Sequence, residues 1–141
     1  MLNAEINISE PNPVVVAMSG GVDSSVAAAI KTKESDNVIG ITLKLYDEKK
    51  VTNSKTCCAG ADIIDAKKIA NTITIPHYVL DYEEIFKKNV IDPFISEYQS
   101  GRTPIPCINC NEKVKFLDLI NFSRKLGAKS LVTGHYIKKI K

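Results

Sequence analysis

A short apolar run followed by a serine- and glycine-rich loop constrains this chain more than any other feature. Val14–Met18 is apolar and mostly β-branched, which predicts a buried strand of a parallel sheet. The loop Ser19-Gly20-Gly21-Val22-Asp23-Ser24-Ser25 follows directly. From Ser24 to about Lys33 the chain is rich in alanine, which predicts a helix that packs back on the strand, with Val26, Ala27 and Ile30 as its apolar residues. Open parallel sheets bind ligands at such a strand–loop–helix junction.

The composition of this loop favours phosphate binding. Its glycines would let an anion reach backbone N–H groups that a Cβ would shield, and its serines add hydroxyl donors. The helix N-terminus adds a partial positive charge. Asp23 is an acceptor suited either to a bound Mg²⁺ or to capping the helix. The alternative is a tight turn that binds no ligand. A loop of seven residues with this composition directly after a strand argues against that alternative.

Strand and helix patterns alternate along the rest of the chain. Further strands are predicted at Val38–Leu45, where apolar residues alternate with Gly40, Thr42 and Lys44, and at His77–Leu80 and Ser130–Thr133. Helices are predicted at Asp62–Thr72, Tyr82–Tyr98 and Asn111–Leu126. In the second of these, Ile85, Phe86, Val90 and Phe94 are expected to point inward and Pro93 to kink the helix. The alternation predicts a three-layer α/β sandwich with an open, mainly parallel sheet.

Composition and charge agree with one ordinary globular domain. The chain has 141 residues, of which 44% are hydrophobic and 25% charged, and no apolar run approaches a membrane span. The first residues lack the features of a signal peptide, so we expect a cytoplasmic protein. The net charge of +3 permits nucleic-acid binding without requiring it.

The four cysteines are Cys57, Cys58, Cys107 and Cys110. In the reducing cytosol they are expected to be catalytic, metal-binding or buried rather than joined in structural disulfides. Cys110 precedes the predicted helix at Asn111, with Lys113 and Lys115 close by, and this position favours a reactive thiolate. A zinc or iron–sulfur site is the alternative, which adjacent cysteines make less favourable.

Several motifs together resemble one family. The loop resembles the SGGxDS loop of the ATP pyrophosphatases, which cleave ATP between its α- and β-phosphates. The segment Arg102–Asn111, the pair Cys57-Cys58 and the ending Thr133-Gly134-His135-Tyr136 are similar to those of the tRNA-specific 2-thiouridylases. Those enzymes place sulfur at C2 of the wobble uridine. The resemblance implies the adenine nucleotide alpha-hydrolase fold, which is Rossmann-like.

The resemblance also implies roles for individual residues. Cys110 would be the catalytic nucleophile, which attacks or is bridged during sulfur transfer. ATP, with Mg²⁺, would bind Ala17, Met18, Ser19, Gly20, Gly21, Val22, Asp23, Ser24, Leu43 and Gly134. The substrate tRNA would contact Ile105, Pro106, Cys107 and His135. A persulfide from a sulfur-carrier protein, ultimately a cysteine desulfurase, would supply the sulfur. No metal ligands are implied beyond the Mg²⁺ of the nucleotide.

Two departures from the family pattern affect these expectations. Cys107 stands where other members carry an aspartate, so proton handling there would have to differ. The family's second catalytic cysteine, which carries the persulfide, and its central and C-terminal tRNA-binding domains lie beyond residue 141. These missing segments imply that residues 14–141 are a truncated ATP pyrophosphatase domain and that the chain alone lacks turnover. Separately, the composition of residues 1–13 predicts a flexible leader.

Two other functions fit the same motifs. An adenylating synthetase of another ATP pyrophosphatase family would use the loop but not Cys110. A degenerate fragment or a metal-binding module would use neither for catalysis. A synthetase would keep full activity when Cys110 is replaced, which distinguishes it from a thiolation enzyme. A metal analysis distinguishes a metal-binding module from both.

Overall fold

A parallel four-stranded sheet forms the centre of the part of the chain that is described. The structure is a computed structural model, and its described residues are 11–35, 37–45, 60–103 and 116–136. The strands are β1 (Val14–Ala17), β2 (Val38–Lys44), β3 (His77–Asp81) and β4 (Ser130–Val132), in the order β3-β2-β1-β4. Residues 14–17 pair with 38–41, residues 14–16 with 130–132, and residues 40–44 with 77–81. Each predicted strand is confirmed to within one residue at either end.

Helical segments connect these strands. They are α1 (Val22–Glu34), α2 (Gly60–Thr72), α3 (Glu83–Phe86), a π-helical turn (Lys87–Ile91), α4 (Asp92–Gln99) and α5 (Leu117–Lys125). The helix predicted from Asn111 is described only from its later turns. Gly127 ends it as expected, with φ +70° and its N–H donating to the carbonyl of Arg124 at 3.0 Å.

Apolar residues pack on both faces of the sheet. On one face, Val16 and Met18 pack against Ala28 of α1 and Ala66 of α2. On the other, Ile41 and Leu43 belong to a cluster with Phe86, Val90, Leu119 and Phe122 from the helical segments that follow β3. Helices on both faces of a parallel sheet make the predicted three-layer sandwich, which is confirmed.

Helix α1 packs differently from the expectation. Val26 and Ile30 are 51% and 50% exposed, so the prediction that they contribute to packing on the strand is wrong. The buried residues of α1 are Ser24 and Ala28. The helix therefore meets the core through small side chains, and its larger apolar residues stay half exposed.

The helix predicted over Tyr82–Tyr98 is interrupted as Pro93 requires. A proline has no N–H to donate and its ring clashes with the preceding turn, and the π-helical turn lies immediately before it. Phe86 and Val90 are buried as predicted, whereas Ile85 and Phe94 are 36% and 38% exposed, so their predicted inward orientation is wrong. The wider π turn shifts the helical phase, which moves Phe94 off the buried stripe.

No helix in the described ranges combines the length and the apolar character that crossing a membrane would need.

Candidate functional site

The loop after β1 is fixed to the neighbouring strand β2 at its first residue. The Met18 N–H donates to the carbonyl of Ile41 at 2.8 Å, and the Thr42 hydroxyl donates to the carbonyl of Met18 at 2.7 Å. Both peptide groups of Met18 are therefore hydrogen-bonded to the centre of the sheet. The loop leaves the sheet in one orientation because its first residue cannot rotate freely.

Hydrogen bonds among its serines shape the rest of the loop. The Ser19 N–H donates to Ser24 Oγ at 3.1 Å, and the Ser24 and Ser25 hydroxyls both lie within hydrogen-bonding distance of the Gly21 carbonyl, at 3.3 and 2.6 Å. Gly21 is the N-cap residue of α1, and it makes no side-chain cap. A helix N-terminus of this kind suits an anion, since its first N–H groups point outward from the helix.

Two glycines let neighbouring backbones approach this loop. Gly20 has φ +81°, and a Cβ there would overlap the carbonyl of Asp62 in α2. A Cβ at Gly134, just after β4, would lie 2.6 Å from the backbone nitrogen of Ser24. Both positions therefore require glycine, one for conformation and space and the other for space alone. This explains why the sequence has glycine at two points far apart in the chain.

A cavity of about 210 Å³ opens at the carboxyl ends of β1, β2 and β4. All the residues predicted to bind ATP line it except Gly20: Ala17, Met18, Ser19, Gly21, Val22, Asp23, Ser24, Leu43 and Gly134. His135, predicted to contact tRNA, also lines it. Gly20 instead borders a shallow groove between α1 and α2.

Further lining residues were not predicted as site residues. They are Ile41, Thr42, Asp62, Phe116, Leu119 and Thr133. The apolar members line the same cavity as the polar loop, so the cavity suits a ligand with an apolar part and an anionic part. Thr133 belongs to the quoted ending Thr133-Gly134-His135-Tyr136. Thr42 interrupts an apolar strand next to Leu43, and this interruption is the signal that could have identified it.

Two aromatic residues after β4, His135 and Tyr136, contact residues that line the cavity. The Tyr136 hydroxyl donates to Asp23 Oδ1 at 2.8 Å, and this hydrogen bond raises the pKa of the tyrosine. The ring of His135 packs at 5.0 Å from that of Phe116. Asp23 is thus engaged with Tyr136 and makes no side-chain cap of α1 within the described structure.

Asp118 and Tyr82 are two further residues whose side chains have a raised pKa. Burial raises the pKa of Asp118 in α5, and burial followed by the charge of Asp118 raises the pKa of Tyr82. Neither side chain lines the cavity, although Leu119 next to Asp118 does. We assign this pair to packing around α5.

The predicted sulfur chemistry falls on residues that are not described. Cys57, Cys58, Cys107 and Cys110 lie outside the described residues, as do Ile105 and Pro106. Among the residues that are described, no group of three or more His, Cys, Asp or Glu side chains could hold a metal ion. The zinc and iron–sulfur alternatives for the cysteines stay untested.

Comparison with known proteins identifies a family. The family model described as "tRNA methyl transferase HUP domain" matches residues 12–141. A relative named tRNA-specific 2-thiouridylase MnmA, from Rickettsia rickettsii (strain Sheila Smith), is 56% identical over 133 residues, which is 94% of this chain and 36% of the relative. Its namesake from Rickettsia akari (strain Hartford) is 56% identical over 137 residues, covering 96% of this chain and 38% of the relative. The family resemblance is confirmed, and the chain spans less than two fifths of these relatives.

Solved structures share the fold. An ammonia-dependent NAD synthetase from Campylobacter jejuni superposes with a TM-score of 0.56 at 21% identity, over 86% of this chain and 47% of that one. An NMN synthetase from Francisella tularensis gives 0.53 at 18% identity, over 85% and 44%. A glutamine-dependent NAD⁺ synthetase from Acinetobacter baumannii gives 0.58 at 17% identity, over 86% and 21%. The predicted adenine nucleotide alpha-hydrolase fold is confirmed.

Proposed function

Since this chain belongs to the tRNA methyl transferase HUP domain family, we propose that it is the ATP-binding part of an enzyme that thiolates the wobble uridine of tRNA at C2. The relatives that match it over nearly all its length carry the name tRNA-specific 2-thiouridylase. One observation carries the proposal: the serine–glycine loop, the helix N-terminus and an apolar wall meet at one cavity. That combination suits a nucleoside phosphate.

The loop residues bind and orient the phosphates. The N-terminus of α1 offers N–H groups and a partial positive charge, and Ser19 and Ser24 add hydroxyls at the same edge. The apolar residues Ile41 and Leu43 give the adenine ring a surface to pack on. Asp23 and Asp62 are the carboxylates that line the cavity, and they would hold a Mg²⁺ that neutralises part of the triphosphate charge.

The reaction proceeds in three displacements. The C2 oxygen of the uridine attacks the α-phosphorus, the α–β phosphoanhydride bond breaks, and pyrophosphate leaves. The outer sulfur of a protein persulfide then bonds to C2, the C2–O bond breaks, and AMP leaves. The Cys110 thiolate attacks the inner persulfide sulfur, the S–S bond breaks and frees the thiouridine, and a thiol reductant later reduces the resulting disulfide.

The remaining assignments belong to this same proposal. Ile105, Pro106, Cys107 and His135 contact the tRNA. A sulfur-carrier protein or a cysteine desulfurase supplies the persulfide, and the protein works in the cytoplasm. Of these four residues, His135 is the one that the structure describes. It lines the cavity and its ring packs against that of Phe116, which supports a place for it at the site.

Methyl transfer is the second candidate, because the description of the family model names it. S-adenosylmethionine, the usual methyl donor, carries adenosine but no phosphate. A loop of serines and glycines at a helix N-terminus would then have no anion to bind. Competition decides between the two: thiolation predicts that ATP and AMPPNP bind in the cavity and that S-adenosylmethionine does not displace them.

Calorimetric titration of the chain with AMPPNP and Mg²⁺ tests the nucleotide site. We expect saturable binding that AMP reverses, and iodoacetamide labelling of Cys110 at neutral pH that is faster than labelling of the other three cysteines. Cys110→Ser should retain nucleotide binding and abolish thiolation in the full-length enzyme. Nucleotide binding that is absent, or full thiolation by Cys110→Ser, would contradict the proposal.

A further inference from the structure

We propose that His77 is a positioning residue of the nucleotide site, which acts through Thr42 on the backbone of the phosphate loop. This inference rests on the proposed function, since it assigns a role in nucleotide binding. His77 lies at the start of β3 and does not line the cavity, whereas Thr42 does. From the sequence alone, this histidine is interpreted as a surface or packing residue.

The hydrogen bonds fix the tautomer of His77. Thr42 Oγ1 lies 2.7 Å from the carbonyl oxygen of Met18 and 2.8 Å from His77 Nε2. A carbonyl only accepts, so the single hydroxyl proton of Thr42 is directed to Met18. The imidazole must then donate from Nε2–H to the threonine oxygen. His77 therefore carries a proton on Nε2, and because burial lowers its pKa the ring is neutral at neutral pH. His77, Thr42 and Met18 form a directed series of hydrogen bonds.

The series of hydrogen bonds from His77 through Thr42 ends at the Met18 carbonyl, in the peptide group that begins the phosphate loop. A peptide is planar, so fixing the Met18 carbonyl also fixes the direction of the Ser19 N–H. That N–H donates to Ser24 Oγ at 3.1 Å, on the first turn of α1. His77 thereby influences the orientation of the serine hydroxyls at the cavity without reaching it. An alternative hydroxyl rotamer of Thr42 would release the Met18 carbonyl.

The surroundings of His77 indicate a purpose beyond filling space. Its Nδ1 is buried and lacks a hydrogen-bond partner in the described part of the chain. A buried polar atom without a partner costs free energy, and an apolar residue of similar size would avoid that cost. The strand neighbour of His77 is Gly40, where a Cβ would lie 2.6 Å from Met18 Sδ and 3.3 Å from His77 Cδ2. The missing side chain at Gly40 gives the ring and the methionine their room beneath the loop.

Four variants isolate the role of this chain of hydrogen bonds. His77→Leu removes the donor, and His77→Gln places an amide N–H near the position of Nε2. Thr42→Val removes the connecting hydroxyl, and Thr72→Val is the matched control, because its hydroxyl donates to the Lys68 carbonyl on an exposed face of α2. Each is titrated with AMPPNP, and its unfolding by urea is followed separately.

We expect His77→Leu and Thr42→Val each to weaken AMPPNP binding by about three- to tenfold. His77→Gln should restore most of the affinity, and Thr72→Val should leave it unchanged. In the Thr42→Val background, His77→Leu should have no further effect, because the connection is already broken. A purely structural role for His77 would lower stability in both backgrounds and leave affinity unchanged.

The tautomer gives a test that needs no variant. In ¹⁵N spectra of the unsubstituted chain at neutral pH, His77 should be neutral with its proton on Nε2; a proton on Nδ1 would overturn the proposal. Full affinity in His77→Leu, or an equal loss with and without Thr42, would also overturn it while leaving the proposed function intact. Absence of AMPPNP binding by the unsubstituted chain would refute both.

Discussion

Replacing Gly134 with alanine should disturb the proposed nucleotide site strongly, although it adds a single methyl group. The added Cβ would lie 2.6 Å from the Ser24 nitrogen, 2.9 Å from the Asp23 carbonyl carbon and 3.0 Å from Ser24 Cα. All three are backbone atoms and cannot rotate away. Ordinary contact begins near 3.4 Å, so the end of β4 and the first turn of α1 must separate by about 0.8 Å.

This separation has two measurable effects. Overpacking of this kind lowers the free energy of unfolding by about 1–3 kcal/mol, which urea denaturation would detect. A displacement approaching 1 Å at the loop proposed to bind phosphate should weaken AMPPNP binding by about tenfold or more. Calorimetric titration measures the second effect on protein that is shown to be folded.

Gly101→Ala is the matched control. Gly101 also needs glycine, because its φ is +75°, but no atom of the described residues lies within 4 Å of a Cβ built there. Its substitution should cost about 1 kcal/mol of stability through backbone strain and leave AMPPNP affinity unchanged. If Gly134→Ala binds AMPPNP as tightly as the unsubstituted chain does, the proposed contact between strand end and helix N-terminus is not part of the site.

Three further predictions concern single residues. Thr74→Gly should raise the free energy of unfolding by about 1 kcal/mol in urea titrations, because this β-branched residue is held at φ +60°; an unchanged or lower value would contradict this. In alkaline absorbance titrations, Asp23→Asn should lower the pKa of Tyr136, since the hydrogen bond to that carboxylate raises it; Tyr136→Phe identifies the signal, and an unmoved midpoint would refute the contact. Burial, followed by the charge of Lys67, lowers the pKa of His77 below 6.5. As the pH falls, the unfolded state therefore binds a proton before the folded state does, and the free energy of unfolding should decrease below about pH 6.5. His77→Gln should remove this part of the pH dependence, and an identical profile in that variant would contradict the prediction.

The sequence contained enough to predict the sheet and the loop. The β-branched run Val14–Val16 is buried on a central strand, and the loop that follows lies at the carboxyl edge of the sheet as the motif implied. Local signals sufficed there, because strand burial and the glycine turn are properties of neighbouring residues. The alternation of strands and helices predicted parallel pairing, which all three strand pairs show, whereas the order of the strands was not predicted.

Tertiary packing decided what the sequence could not. Strand β2 alternates in polarity, yet Gly40 and Thr42 are buried as well, because helices cover both faces of the strand. In α1, periodicity cannot tell which apolar residues face the sheet, and the small side chain of Ala28 does so instead of Ile30. No sequence rule would have paired Tyr136 with Asp23 across 113 positions.

The contact that a ligand makes with the loop is the central claim, and backbone amide NMR during titration with AMPPNP and Mg²⁺ tests it most directly. We predict that the largest shifts fall on the amides from Gly20 to Ser24 and on Gly134, with smaller changes at Thr42 and Leu43. Shifts on groove residues that do not line the cavity (Ser25, Val26, Ala29, Ile69 and Ile73) without shifts at Ser24 and Gly134, or no saturable shifts at all, would contradict the account.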